Sequence, residues 1–441
     1  MATARPSERA SVALARHAST QPRHGDRWAS RALLAGSPKV TARPSDRAPV
    51  ALASQASTQA LSRDRETSPS RDREAFWSLS MTSFPILCYY LVYVMTVSLS
   101  FSLMGSCMPK PPCYFIFGAS YYDNGNNNAL VTTAKANYPP YGIDFPGGAT
   151  GRFCDGRITP DFIAEFLGFR SHIPSFASDR SDQDVLKGVN YASGGSGIRN
   201  ETGMNMGDRI SMDEQLRNHQ TILSRIMAIL GERNSATEDY LSRCLYSVGM
   251  GDNDYISNYF LPQFYPTSRQ YTPDQYASVL IKQFDLQLRT LYKLGARKVV
   301  VFGIGPLGCA PVVRSRAGIN GSSCVDVVNN AVQLFNVKLG PLVDELNNGL
   351  PGAKFIYVDA FHIYSSLYSG FRVTNASCCK VITGSPTCNP QGTSCPNRGD
   401  YFWWDALHPS EATNLMFARR SYNAQSPLDT YPFDINHLIL L

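Results

Sequence analysis

The sequence predicts an α/β protein, a three-layer α/β/α sandwich built on a flavodoxin-like, five-stranded parallel sheet. Three observations predict it. Short apolar runs alternate with long amphipathic ones along the chain. The apolar runs end in glycine- or polar-rich turns of the kind that open a crevice at the carboxyl edge of a sheet. The 328 residues from Tyr114 onward are enough for one large domain with a substantial core.

Strands are expected at Tyr114–Phe117, Gly188–Tyr191, Cys244–Val248, Lys298–Phe302 and Lys354–Val358, each a short run of β-branched, aromatic or apolar residues. Helices are expected between them at Thr159–Leu167, Met212–Leu230, Pro273–Leu294 and Val325–Asn347, where apolar residues recur at helical spacing. A repeated βα unit implies parallel strands covered on both faces.

The chemistry begins at the first strand. After Tyr114–Phe117, Gly118 and Ala119 allow a tight turn that presents Ser120 at the strand's carboxyl end. A hydroxyl is a weak nucleophile at neutral pH and needs a base. Far along the chain, Trp403-Trp404-Asp405-Ala406-Leu407-His408-Pro409 places an Asp and a His three residues apart, a spacing expected to put both on one helical turn. There the carboxylate holds the imidazole in one tautomer and leaves its other nitrogen for a hydroxyl. Two further turns offer donors for an oxyanion: Asn190-Tyr-Ala-Ser-Gly-Gly195-Ser-Gly197, whose backbone can approach closely, and Ser247-Val-Gly-Met-Gly-Asp252-Asn253-Asp254, which ends a strand on a neutral amide. Each alone has an ordinary reading as turn former or helix cap. Their joint order carries the inference.

In the order Ser, Gly, Asn, Asp-x-x-His, these segments resemble the SGNH hydrolases. The flanks Asp123-Asn-Gly-Asn-Asn-Asn128 and Gly303-Ile-Gly-Pro-Leu-Gly-Cys309 are similar to those of the plant GDSL esterase/lipase family. The resemblance implies Ser120 as nucleophile, Asp405 and His408 as its partners, and Ser120 N–H, Gly195 N–H and Asn253 as the oxyanion hole. It also implies an SGNH hydrolase fold and turnover of lipid or other acyl esters outside the cell, with no metal and no organic cofactor. One departure stands out: the family's Gly-Asp-Ser-Leu reads Gly118-Ala119-Ser120-Tyr121, so the acidic residue that braces the turn is missing. Two alternatives to hydrolysis follow, an acyltransferase using the same residues and a catalytically weakened ester- or glycan-binding protein.

Other motifs fail on context. Gly303-x-Gly305-x-x-Gly308, with Asp326 beyond it, matches a dinucleotide fingerprint, but Pro306 and Pro311 interrupt the helix it requires. Asp252-x-Asp254 opens like a calcium loop, yet Ile256 and Gln263 stand where carboxylates are needed. Tyr122 replaces the second glycine of Gly-x-Ser-x-Gly, which disfavours the α/β-hydrolase elbow.

Composition divides the chain near residue 80. Residues 1–80 carry 13 Lys and Arg against 7 Asp and Glu, leaving 28 of each sign in the remainder. This Arg/Ser-rich extension contains a duplicated stretch at 5–21 and 43–59 and is expected to be disordered, and a product of gene-model extension or an alternative start. It lacks interleaved aromatics, so no nucleic-acid partner is expected. An uncharged segment follows with its apolar heart at Phe84–Met104, giving residues 81–107 as a secretory signal starting at Met81, or a membrane anchor if uncleaved. Residues 108–441 form the hydrolase domain, expected to be a secreted monomer. Of 11 cysteines, Cys309 and Cys324 bracket a loop and Cys378, Cys379, Cys388 and Cys395 cluster without zinc-ligand spacing, which predicts loop-stapling disulfides of open pairing. Asn200, Asn320 and Asn375 head glycosylation sequons.

Overall fold

The computed structural model describes residues 93, 95, 111–231, 234–318 and 323–441. The expected extension at 1–80, the segment 81–107 apart from Tyr93 and Met95, and the sequon at Asn320 lie outside the described residues. Among the described residues, no helix is long and apolar enough to cross a membrane.

The central sheet runs in the order β1 (Tyr114–Gly118), β2 (Leu245–Gly249), β3 (Lys298–Phe302), β4 (Lys354–Val358) and β7 (Thr430–Tyr431). The first four are parallel and in unbroken register, with Phe115 opposite Tyr246, Tyr246 opposite Val299 and Val299 opposite Phe355. Their residues are almost all buried, as expected of strands covered on both sides. A small second sheet pairs β5 (Val373–Ser377) with β6 (Tyr401–Trp403).

The expected strand at Gly188–Tyr191 forms only in part, and the fifth strand of the sheet is β7, two residues long and antiparallel to β4. The 188–191 segment lies beside β1, where Ile116 N–H donates to Val189 O, Tyr191 N–H to Ile116 O and Ser193 N–H to Gly118 O. Its ladder with β1 stops at the Ile116–Asn190 bridge because the Gly118 N–H that would make the next rung donates to Gln215 Oε1, and on its other side Asn190 bridges Ser175. With that segment counted as an edge rung, the parallel part has the flavodoxin-like order.

The helices α1 (Thr159–Phe166), α2 (Met212–Leu230), α3 (Pro273–Lys293), α4 (Pro311–Arg316), α5 (Asp326–Gly349) and α6 (Glu411–Tyr422) cover the sheet. Sequence sets their starts: Ser211 caps α2, Thr272 and Gln275 form a capping box with Pro273 in the first turn of α3, and Ser410 caps α6. Helix α3 packs along α5, and α6 along α1. The core between them is continuous, with Phe115, Phe117, Phe284, Phe302 and Phe335 at or near zero exposure. Helices at Asn234–Ser242 and Ala360–Leu367 were not expected from periodicity.

Four disulfides join Cys113 to Cys244, Cys309 to Cys324, Cys378 to Cys395 and Cys379 to Cys388. The first ties the entries of β1 and β2. The last two close the cysteine cluster expected to staple a loop. Cys154 is a buried free thiol, its acidity reduced by burial.

Candidate active site

The turn that carries Ser120 is built around one glycine. A Cβ on Gly118 would lie 2.8 Å from Tyr122 and 2.9 Å from Gly249 O, so only glycine lets β1 turn against β2 here. Gln215 of α2 clamps the same residue from both sides, accepting from Gly118 N–H at 3.0 Å and donating to Gly118 O at 2.9 Å. Gln215 is fully buried and thus fixes the turn in which Ala119 stands where an Asp was expected. Ala119 O accepts from the N–H groups of Tyr122 and Asp123, which curls the chain and lifts Ser120 to the edge of the sheet.

Asp405 and His408 approach from the other end of the chain. They do not share a helical turn, as the spacing suggested, but sit in the loop between β6 and α6. Asp405 makes the turn itself: its Oδ1 accepts from Leu407 N–H at 2.8 Å and His408 N–H at 2.7 Å, folding the loop back in an Asx-type turn. Its Oδ2 faces His408 Nδ1 at 2.7 Å, and His408 Nε2 faces Ser120 Oγ at 2.8 Å. A carboxylate only accepts, so the proton belongs on Nδ1 and Nε2 is left to accept from the serine hydroxyl. All three side chains are buried or nearly so.

The imidazole is held on both faces. Phe153 lies 4.8 Å from its ring centroid, and Tyr121 meets it edge-on at 5.5 Å while donating from its hydroxyl to Leu407 O at 3.0 Å. Tyr121 thereby stitches the serine turn to the histidine loop. Tyr141, fully buried, donates to Asp405 Oδ2 at 2.7 Å and accepts from Cys388 N–H at 3.1 Å. The cysteine-rich loop also holds the chain on either side of Asp405: Cys379 N–H donates to Trp404 O, and Ala406 N–H to Pro386 O.

Around Ser120 Oγ stand three groups able to receive negative charge. Neither the Ser120 N–H nor the Gly195 N–H has an acceptor among the described residues. Gly195 adopts φ +83°, a conformation that turns its peptide away from the ladder beside β1. The preceding residue is anchored: Gly194 N–H donates to Asp123 Oδ2 at 2.9 Å, and Asn127 Nδ2 donates to Gly194 O at 2.9 Å. Asn253 Nδ2 donates to Ser196 O at 3.0 Å and keeps a second proton, while its Oδ1 accepts from Ser257 Oγ at 3.1 Å, which fixes the orientation of the amide.

Asp254, next to Asn253, accepts from the N–H groups of Ile198 and Arg199 and the hydroxyl of Thr202. Asp254 thereby clamps the glycine loop. Burial pushes the carboxyls of Asp123 and Asp254 up to about 6 and that of Asp252 to about 7. The glycines at 303–308 close a loop after β3 in which Pro311 opens the short helix α4, with no nucleotide-type helix in the turn.

These groups open on a cavity of about 630 Å³. Ser120, Gly195, Asn253 and His408 line it together with Phe153, Met206, Ile256, Phe260, Leu261, Phe264, Val312 and Leu407. An apolar wall with a few convergent polar groups suits a ligand with a hydrocarbon part and one reacting polar centre.

A family model described as GDSL-like lipase/acylhydrolase matches residues 114–421. The chain belongs to this family. Its relatives include two GDSL esterase/lipases of Arabidopsis thaliana, At1g29670, 50% identical over 364 residues covering 80% of this chain and 99% of the relative, and At1g29660, 47% identical over 361 residues covering 80% and 98%. A solved structure of phospholipase A1 from Streptomyces albidoflavus NA297 covers 69% of this chain and 94% of its own, at 14% identity and a TM-score of 0.29, too slight a likeness to bear on this fold. Membership of the GDSL family makes the chain a carboxylic ester hydrolase by class.

Of the sequence-predicted positions, Ser120, Gly195, Asn253 and His408 thus line one cavity of this GDSL protein, and Asp405 stands behind His408. Asn200 and Asn375 are exposed, away from that cavity. Sequence reasoning missed Tyr141, Gln215, Tyr121 and Phe153. Only Tyr121 had a local signal, its place beside the serine.

Proposed function

We propose that this GDSL protein hydrolyses lipid or other acyl esters by two-step acyl transfer. The observation that carries the reading is the continuous hydrogen-bonded chain from Asp405 through His408 to Ser120 Oγ, ending in an apolar cavity beside unengaged N–H groups. Ser120 Oγ attacks the ester carbonyl while His408 Nε2 takes its proton. Asp405 orients the imidazole and stabilises its positive charge. The oxyanion is received by Ser120 N–H, Gly195 N–H and Asn253 Nδ2–H. His408 then returns the proton to the leaving alkoxide, and water, activated by the same imidazole, releases the acid from the acyl-enzyme.

The serine turn lacks the family's acidic residue, but Gln215 braces Gly118 in its place, which supports an active enzyme over a binding protein. Four disulfides support folding in an oxidising compartment, and with it the reading of residues 81–107 as a secretory signal, residues 108–441 as the secreted domain, and Asn200 and Asn375 as glycan acceptors.

The test is turnover of p-nitrophenyl esters by protein secreted from a eukaryotic host, with and without Ser120→Ala. Loss of turnover in the variant supports the mechanism; full activity in it overturns it. Product analysis with an added alcohol acceptor separates hydrolysis from acyl transfer to that acceptor.

A further inference from the structure

Among the described residues, one charged side chain lines the cavity that holds Ser120, and it is a cation. Arg316, at the last residue of α4, lines the same cavity as Ser120 and His408, while among the described residues no Asp or Glu does. Among the described residues Arg316 has neither an ion-pair partner nor a hydrogen bond. That sets it apart from Arg152, Arg157 and Arg420, which are each committed to a carboxylate. Its side chain is solvent-exposed where it lines the cavity, and its surroundings supply no counter-charge: partial desolvation lowers the guanidinium's pKa, and no neighbouring anion offsets it. On the same helix Val312 belongs to the apolar wall, so hydrocarbon and cation are offered side by side. A guanidinium in such a place is matched by a planar or tetrahedral oxyanion, which it engages with two parallel N–H donors.

We propose that the substrates are anionic amphiphiles, esters whose hydrocarbon chain lies along Phe260, Leu261 and Val312 and whose phosphate or carboxylate is received by Arg316. This rests on the assignment of the cavity as an esterase site and narrows it to a substrate class. A neutral ester leaves the guanidinium with water alone. An anionic one replaces that water with a charge-assisted pair at the rim of a low-dielectric wall, where such a pair is stronger than in bulk solvent.

The test compares three esters of one acyl chain: 1-octanoylglycerol, its 3-phosphate, and the octanoyl ester of glyceric acid. For the secreted wild-type enzyme at low ionic strength, kcat/KM for at least one anionic ester is expected to exceed that for octanoylglycerol tenfold or more, and the two anionic arms tell phosphate from carboxylate. Arg316→Gln is expected to reduce this preference ratio at least tenfold, through KM, with partial recovery in Arg316→Lys. A wild-type ratio near one, or a ratio that Arg316→Gln does not move, overturns the proposal. If octanoylglycerol turnover is present and lost in Ser120→Ala while the ratio stays at one, the substrate inference alone fails. If no ester is turned over, or turnover survives Ser120→Ala, the esterase assignment fails first.

Discussion

The Tyr141 hydroxyl and His408 Nδ1 converge on the same carboxylate oxygen, Oδ2 of Asp405, each at 2.7 Å. The tyrosine thus competes with the imidazole for the negative charge that holds it. Removing the hydroxyl leaves Asp405 a stronger acceptor for the imidazolium, so the acid limb of the kcat/KM profile is expected to move to higher pH in Tyr141→Phe. A pH-rate series on wild type and variant measures this, alongside a severalfold loss of kcat with little change in KM. A parallel loss of thermal stability with an unmoved limb would mark the tyrosine as structural only.

Asn253 is the one proposed oxyanion group that can be removed as a side chain. Asn253→Ala is expected to lower kcat by about two orders of magnitude, roughly 3 kcal/mol of transition-state stabilisation. KM should change little, because a ground-state ester makes less of that hydrogen bond. Steady-state kinetics on a single ester checks it.

Gln215 satisfies both the N–H and the C=O of Gly118 in a fully buried setting. Gln215→Leu leaves the Gly118 N–H without an acceptor, while Gly118 O keeps its bonds from Ser193 N–H and Ser196 Oγ, so the expected cost is about 1–3 kcal/mol from one unsatisfied buried group. Urea unfolding measures the loss. Activity should fall further than stability alone explains, since the turn that aims Ser120 loses its brace.

His219 gives a pH signature of stability. It is fully buried against Phe115, Phe117 and Tyr246, with Nδ1 bonded to Tyr191 Oη, and burial lowers its pKa from 6.5 to about 3. The unfolded chain therefore takes up a proton below about pH 6.5 that the folded chain refuses. The stability linked to this group is complete above that pH and is lost as pH falls from about 6.5 towards 3. Asp123 and Asp254, raised to about 6, act in the opposite sense, their penalty easing as pH falls from about 6 to 4. The difference between the wild-type and His219→Phe stability curves isolates the imidazole, and the variant is expected to show the shallower acid loss.

The strands, the long helices and the five site positions were legible because each leaves a local trace. Lys298–Phe302 and Lys354–Val358 are apolar runs of strand length, and Met212–Leu230 carries both a serine cap and a helical stripe. Gly188–Tyr191 misled because it carries the residues of a strand, while the diversion of Gly118 N–H to Gln215 that ends its ladder is a tertiary event. The Asp405–His408 spacing pointed to proximity correctly, but through a side-chain turn instead of a helix. Tyr141 and Gln215 escaped notice for a plainer reason. They meet their partners across 264 and 97 residues, and nothing adjacent to either advertises the encounter.

The ties between Cys378 and Cys395 and between Cys379 and Cys388 bear on how the enzyme is made. Because the carbonyl of Trp404 and the hydroxyl of Tyr141 both rest on backbone N–H groups of bridged cysteines, a thiol-rich host such as a bacterial cytoplasm would deliver chains whose Asp405–His408 loop has lost its scaffold. Refolding yield, read as fractional active-site titre after oxidation, then depends on forming two neighbouring bonds from four closely spaced thiols, three of whose possible arrangements compete and only one of which seats the tyrosine.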